Sequence, residues 1–199
     1  STFSFRSIME LMTKDQCKIY YEDKGRGRAL VFLHGNGEDG RCFKAQQDHF
    51  SKGYRVIIPD SRGHGLSGGA EGKLNLPLMA EDIRELTRQL KLEEYILVGF
   101  SDVANIAMEL ASGYCPGLRG LVLAGGNLRP WGMKPWVLME VLKDFLVATL
   151  CSVFERDRRV KAKILGLMLF EPRLRGARLS RIAVPALVLA GDQDMIRQQ

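Results

Sequence analysis

Five short, almost wholly apolar runs punctuate the chain: Ala29 to Leu33, Tyr54 to Ile58, Tyr95 to Phe100, Leu118 to Ala124 and Ala186 to Ala190. Runs of this length without polar alternation read as strands buried on both faces, the usual state of a parallel sheet covered by helices. Ahead of them, Ser7 to Thr13 and Cys17 to Asp23 read as a β-hairpin turned by Lys14, Asp15 and Gln16. Between the runs the period changes. Leu78 to Lys91 places Ile83, Leu86 and Leu90 on one helical stripe, and Val103 to Ser112 follows the third apolar run as a second helix. Strand–helix alternation predicts an α/β fold: a mostly parallel twisted sheet with an N-terminal antiparallel hairpin and helices on both faces. From Asn127 to Ser180 the alternation stops, and two helical stretches, Val137 to Phe154 and Arg156 to Leu169, follow without a strand between them. This predicts a helical cap over residues 127–180, inserted into a single domain whose core is 1–126 and 181–199.

Composition adds little that is unusual. The 199 residues are 46% hydrophobic and 26% charged, as in an ordinary soluble domain. The net charge of +6 draws on the stretch from Arg156 to Arg181, which holds Arg158, Arg159, Lys161, Lys163, Arg173, Arg175 and Arg178. No reading motif or interleaved aromatic residues accompany it. A solvated basic face is therefore expected, with no nucleic-acid partner, ahead of a basic interaction module. Cys17, Cys42, Cys115 and Cys151 are scattered without a CxxC pair, which suggests neither zinc nor a redox motif and fits a reducing cytoplasm. No signal peptide is expected at the start. The greasiest stretch, Trp136 to Phe154, carries Glu140, Lys143 and Asp144, so it reads as a buried or cap helix and not a membrane span.

In open parallel sheets ligands bind beyond the carboxyl ends of the strands, so the residues just after each run hold the candidate chemistry. Gly99-Phe100-Ser101-Asp102-Val103 lies between a strand and a helix, where a sharp turn lifts a serine hydroxyl above the sheet. The fifth position is Val103, where a glycine would ease the close passage of helix and strand. His34-Gly35-Asn36-Gly37 can aim backbone N–H groups at a developing oxyanion, with His34 a turn-packing residue. Asp60-Ser61-Arg62-Gly63-His64-Gly65-Leu66-Ser67 follows the second run, and Gly191-Asp192-Gln193-Asp194 the last.

These four segments, in this order and at strand ends, resemble the α/β-hydrolase superfamily over nearly the whole chain. The resemblance implies Ser101 as nucleophile, Asp194 as the triad acid with Asp192 as the alternative, and the backbone N–H groups of Asn36 and Asp102 as the oxyanion hole. Asp60, Arg62 and His64 are then a structural loop with no direct part in catalysis. Residues 127–180 match the position that shapes substrate choice, where Trp131, Trp136, Met133, Met139 and Phe145 are candidates to line an acyl pocket. The implied activity is hydrolysis of a carboxylic ester, thioester or related acyl substrate, without metal or organic cofactor.

The implied order along the chain is serine, acid, histidine. His34, His49 and His64 all precede Ser101, and only five residues follow Asp194. The last strand, helix and general base of the family are not matched, so the chain is expected to be either a C-terminally truncated form of an active hydrolase or a natural variant with little catalysis, with weak or no turnover. A non-catalytic small-molecule-binding protein is the alternative. An uncovered sheet edge is expected to promote self-association.

Overall fold

The computed structural model describes residues 8–101, 104–125, 133–152, 156–171 and 176–190. Strands β1 (Ile8–Met12), β2 (Lys18–Lys24), β3 (Ala29–Leu33), β4 (Arg55–Pro59), β5 (Tyr95–Phe100), β6 (Leu118–Ala124) and β7 (Ala186–Leu189) form one sheet in the order β1-β2-β4-β3-β5-β6-β7. β1 and β2 pair antiparallel, as does β2 with β4, and every pair from β4 to β7 is parallel. The hairpin and five apolar strands expected from the sequence are all present.

β3, β4 and β5 feed two cores by their alternation, and β6 joins the first of them. Val31, Leu33, Ile57, Leu97, Leu121 and Leu123 point to one face, covered by α2 (Leu76–Gln89) and α3 (Ala104–Ala111). Leu30, Phe32, Val56 and Ile58 point to the other, where Phe43 and Phe50 pack from a short 3₁₀ turn and α1 (Lys44–Phe50). α2 starts where its signals place it: the Asn75 side chain accepts from the Leu78 N–H at 2.9 Å, and Pro77 sits in the first turn.

β7 departs from expectation. Its four residues are all exposed, with Leu187 at 55% and Val188 at 68%. Among the described residues it pairs with β6 alone, at the margin of the sheet, and an apolar run does not encode which neighbours will cover it. This is the edge through which the sequence leads one to expect self-association.

α4 (Pro135–Cys151) and α5 (Arg156–Phe170) pack on each other, with Met133, Val137 and Val141 buried against Leu138, Leu165, Met168 and Leu169. A one-turn helix, α6 (Gly176–Leu179), precedes β7. Among the described residues Leu167 of α5 is buried in the core under the sheet, and three hydrogen-bonded contacts also tie α5 to the sheet and its flanking segments. The Lys163 ammonium donates to the carbonyls of Ala70, Glu71 and Gly72 at 2.7–2.9 Å. Glu171, just past α5, accepts from the Leu76 N–H at 2.7 Å, placing a carboxylate at the positive end of α2. The third contact reaches the loop after β3 and belongs to the site.

Candidate active site

β5 delivers Ser101 one residue past its last paired position. Ser101 adopts φ = 57°, in the left-handed region that residues with a side chain rarely enter. That bend between β5 and α3 is the sharp turn expected of a nucleophile elbow, and Ser101 remains partly accessible. The turn is tight. A Cβ placed on Gly99 would stand 2.7 Å from the Ala104 Cα, so only glycine lets the helix start so close to the strand. The small partner in this approach is Ala104. Asp102 and Val103 lie outside the described residues.

Backbone of this kind, held against its preference, costs about 1–3 kcal/mol. Ser101→Gly removes that strain but adds freedom to the unfolded chain, worth about 0.4–1 kcal/mol. A net stabilisation of about 1 kcal/mol is expected, read as a rise of a few degrees in Tm; a fall in Tm on this substitution contradicts the strained-turn description.

The loop after β3 comes up beside Ser101. A Cβ on Gly35 would lie 3.2 Å from the Ser101 Cβ, which puts the Gly35–Asn36 backbone against the serine. Glu38 shapes this loop: its Oε2 accepts from the Gly35 N–H at 3.0 Å, and its own N–H donates to the Gly35 carbonyl at 3.2 Å. The Asn36 side chain is tied at both ends. Its Nδ2 donates to the Ile164 carbonyl of α5 at 2.7 Å, and its Oδ1 lies 3.0 Å from the His64 Nε2. The helical pair is thereby fastened directly to the loop that flanks the serine.

Both buried histidines are engaged away from Ser101. The Ser61 N–H donates to the His34 Nε2 at 2.9 Å, which fixes the proton on Nδ1, where it donates to the Gly35 carbonyl at 2.8 Å. Burial holds the His34 pKa below the ordinary imidazole value. The His64 Nδ1 faces the Arg62 carbonyl at 3.0 Å, and burial pushes its pKa down to about 4. A neutral ring has one N–H, so His64 donates to either Arg62 or Asn36 and not to both. His49 lies on α1, edge-on to Phe50 at 5.0 Å.

The loop from Asp60 to Ser67 is a scaffold. The Asp60 carboxylate accepts from the N–H groups of Gly40 and Leu66, both at 2.8 Å. Ser67 donates to the Asp60 carbonyl at 2.7 Å and accepts from the Tyr20 N–H at 2.9 Å. Arg62 forks into Asp82 at 2.6 and 2.8 Å and into Asp15 at 2.7 and 2.9 Å. Its hydrogen bonds hold the Asp15 carboxyl far below the usual range, while burial raises Asp82 against the pull of the same guanidinium.

Of the residues singled out in the sequence, Ser101 and the Gly35–Asn36 loop are brought together. Asp192, Asp194 and Trp131 lie outside the described residues. Trp136 is 60% exposed and Met139 67% exposed, on the outer side of α4, whereas Met133 is buried beneath it. Phe145 packs against Phe170 with ring centroids 5.5 Å apart. Glu38, Lys163 and the Ile164 carbonyl had no signature in the sequence. Glu38 stands three residues after Gly35, the span of a single turn, and a backbone carbonyl carries no mark at all.

A serine on a strained strand-to-helix turn, over a mostly parallel sheet and beside a glycine loop, defines the class of α/β hydrolases. Residues 28–187 match the family model described as the alpha/beta hydrolase fold, and the chain belongs to that family. It is 28% identical over 166 residues to the AB hydrolase superfamily protein YisY of Bacillus subtilis, covering 82% of this chain and 62% of that protein. It is 33% identical over 147 residues to the 2-(acetamidomethylene)succinate hydrolase of Mesorhizobium japonicum, covering 72% of this chain and half of that protein. The chain thus spans between half and two thirds of these relatives. Among solved structures, the esterase EaEST of Exiguobacterium antarcticum superposes with a TM-score of 0.79 at 24% identity, over 94% of this chain and 82% of its own. The thermophilic esterase of Thermogutta terrifontis gives 0.74 at 24% identity, over 96% and 82%.

Proposed function

We propose that Ser101 is the nucleophile of a serine hydrolase acting on carboxylic esters, thioesters or related acyl compounds. The carrying observation is the left-handed backbone of Ser101 with Gly35 packed against it. The Ser101 oxygen bonds to the acyl carbon, and the carbonyl electrons move onto oxygen. The N–H groups of Asn36 and Asp102 hold that charge, and Asp194 would orient the base that takes the serine proton. Collapse of the tetrahedral centre expels the alcohol or thiol with that proton, and water then releases the acid. Helices α4 and α5, proposed here as the cap, would shape the acyl pocket, with Trp131 contributing to it. Four free cysteines support a reducing, cytoplasmic setting.

The base is the open position. No histidine follows Ser101 in the 199 residues, both nitrogens of His34 are hydrogen-bonded, and His64 is turned to Arg62 and Asn36. These residues alone are therefore proposed to turn over substrate weakly or not at all. That observation also favours a second reading, a pocket that binds acyl compounds without chemistry.

A fluorophosphonate probe, used with and without added imidazole as an external base, separates the two. Labelling mapped to Ser101 by mass spectrometry, stimulated by imidazole and lost in Ser101→Ala, is the expected result. Labelling that persists in Ser101→Ala removes Ser101 from its role. Thermal stabilisation by a short-chain ester with no labelling in any condition supports the binding protein instead.

A further inference from the structure

We propose that the outer face of α4 is a docking surface for an anionic lipid bilayer. α4 is apolar on both sides. Val137, Val141 and Ala148 are buried, while Trp136, Met139, Leu142, Leu146, Val147 and Leu150 are 40–75% exposed. At the helical repeat these six residues fall within an arc of about 140°, a continuous stripe about 20 Å long. None of the described helices is long and apolar enough to cross a membrane, and the stripe is proposed to lie along its surface.

Charge selects that surface. Residues 127–180 hold eleven Lys and Arg against five Asp and Glu, while the other 145 residues balance at eighteen of each. The whole net charge of the chain thus falls in the segment that carries the stripe, although Lys163 and Arg178 are turned to the sheet side. Lys134 sits at the position just before α4, and exposed Lys143 lies within the stripe. On α5, exposed Arg159 reaches the Ser152 carbonyl just past the end of α4 at 3.3 Å, and exposed Lys161 reaches Asp144 at 3.4 Å. Glu140 is the exposed acid on the margin.

A helix lying in the plane of a bilayer buries its apolar stripe below the headgroups and leaves its cations among the phosphates. Trp136, at the first turn, is the residue type that favours this interface. A second copy of the chain is the poorer occupant, because two such faces would oppose cation to cation. The surface is independent of the chemistry proposed for Ser101 and stands or falls separately from it.

The test is co-sedimentation of the chain with vesicles of phosphatidylcholine alone, or with about a third phosphatidylglycerol. Partitioning is expected to be at least about ten-fold stronger on the anionic vesicles and to fall as salt is raised. Leu146→Glu with Leu150→Glu, both at exposed positions, is expected to return binding to the neutral-vesicle level with the circular dichroism unchanged. Val188→Lys on the exposed edge strand β7 leaves binding intact. A blue shift of the tryptophan emission on anionic vesicles, diminished in Trp136→Phe, is the second readout. Equal partitioning onto both vesicles, or binding that survives the double glutamate variant, overturns the proposal. A concentration-dependent dimer in light scattering that the double variant abolishes also overturns it, assigning the face to a second copy.

Discussion

Arg62→Ala is expected to lower the unfolding free energy by about 3–5 kcal/mol, measured by urea titration. The Arg62 and Asp82 side chains are only 5% and 4% exposed, so the substitution strands a carboxylate in the interior with no countercharge. Asp15, the other partner, is half exposed and rehydrates at little cost. Arg62→Lys keeps the charge but loses the fork that grips two carboxylates, and falls between the two. Replacing Arg62 and Asp82 together by apolar residues of similar volume is expected to restore most of the loss. The deficit also depends on pH. In the parent, Arg62 holds Asp15 low, a contribution present above the ordinary carboxylate pKa and lost as pH falls. In the variant, burial without a partner raises Asp82 further, so the folded chain takes up a proton before the unfolded one and gains stability on acidification. The Asp82 effect narrows the gap from pH 7 toward about pH 4, and the Asp15 effect narrows it further only below the ordinary carboxylate pKa. A deficit that stays constant over this range contradicts the buried ion pair as its cause.

Gly99→Val is expected to cost about 3 kcal/mol and to abolish fluorophosphonate labelling at Ser101. The new Cβ would meet backbone at 2.7 Å (the Ala104 Cα), with the Ala104 nitrogen and Cβ at 3.3 and 3.4 Å. Backbone does not rotate away as a flexible side chain does. β5 cannot yield either, because it is paired with β3 on one side and β6 on the other. The start of α3 must therefore move, and Ser101 sits in the connection that moves with it. Gly99→Ala carries the same clash with less bulk and is expected to show the same direction at smaller size. Unchanged stability and labelling in both variants shows that the turn does not depend on this close approach.

The core of the fold was legible because its signal is local. An uninterrupted apolar run means burial on both faces, and Ala29–Leu33, Tyr95–Phe100 and Leu118–Ala124 are strands over the residues expected. The run at Tyr54 shifted by one residue to Arg55–Pro59, since Pro59 can end a strand as well as follow it. α2 begins at Leu76, two residues early, where Asn75 and Pro77 supply a cap that the apolar period alone overlooks. α1 was not seen. Its seven residues make fewer than two turns and bury only Gln47, so no stripe repeats. β7 was read correctly as a strand and wrongly as buried, because coverage depends on distant segments.

The site divides in the same way. The place of Ser101 at a strand-to-helix turn is legible because a serine between a strand and a helix has a position and a partner glycine. The role of the Asn36 side chain was not, because its partners are a carbonyl more than a hundred residues away and a ring that serves the scaffold. The roles that the family resemblance assigns to Ser101, Asn36, Asp102, Asp194 and Trp131 all stay proposals.

The exposed β7 is one place where the molecule gives way. Among the described residues β7, like β1 at the other margin, is clasped by a single neighbour, and the amides of such strands trade hydrogen for deuterium early. β6 takes the place of margin when β7 opens, and β5 keeps both of its partners. Breathing at this border therefore stops one strand short of the serine, which rides on the part of the sheet that loosens late.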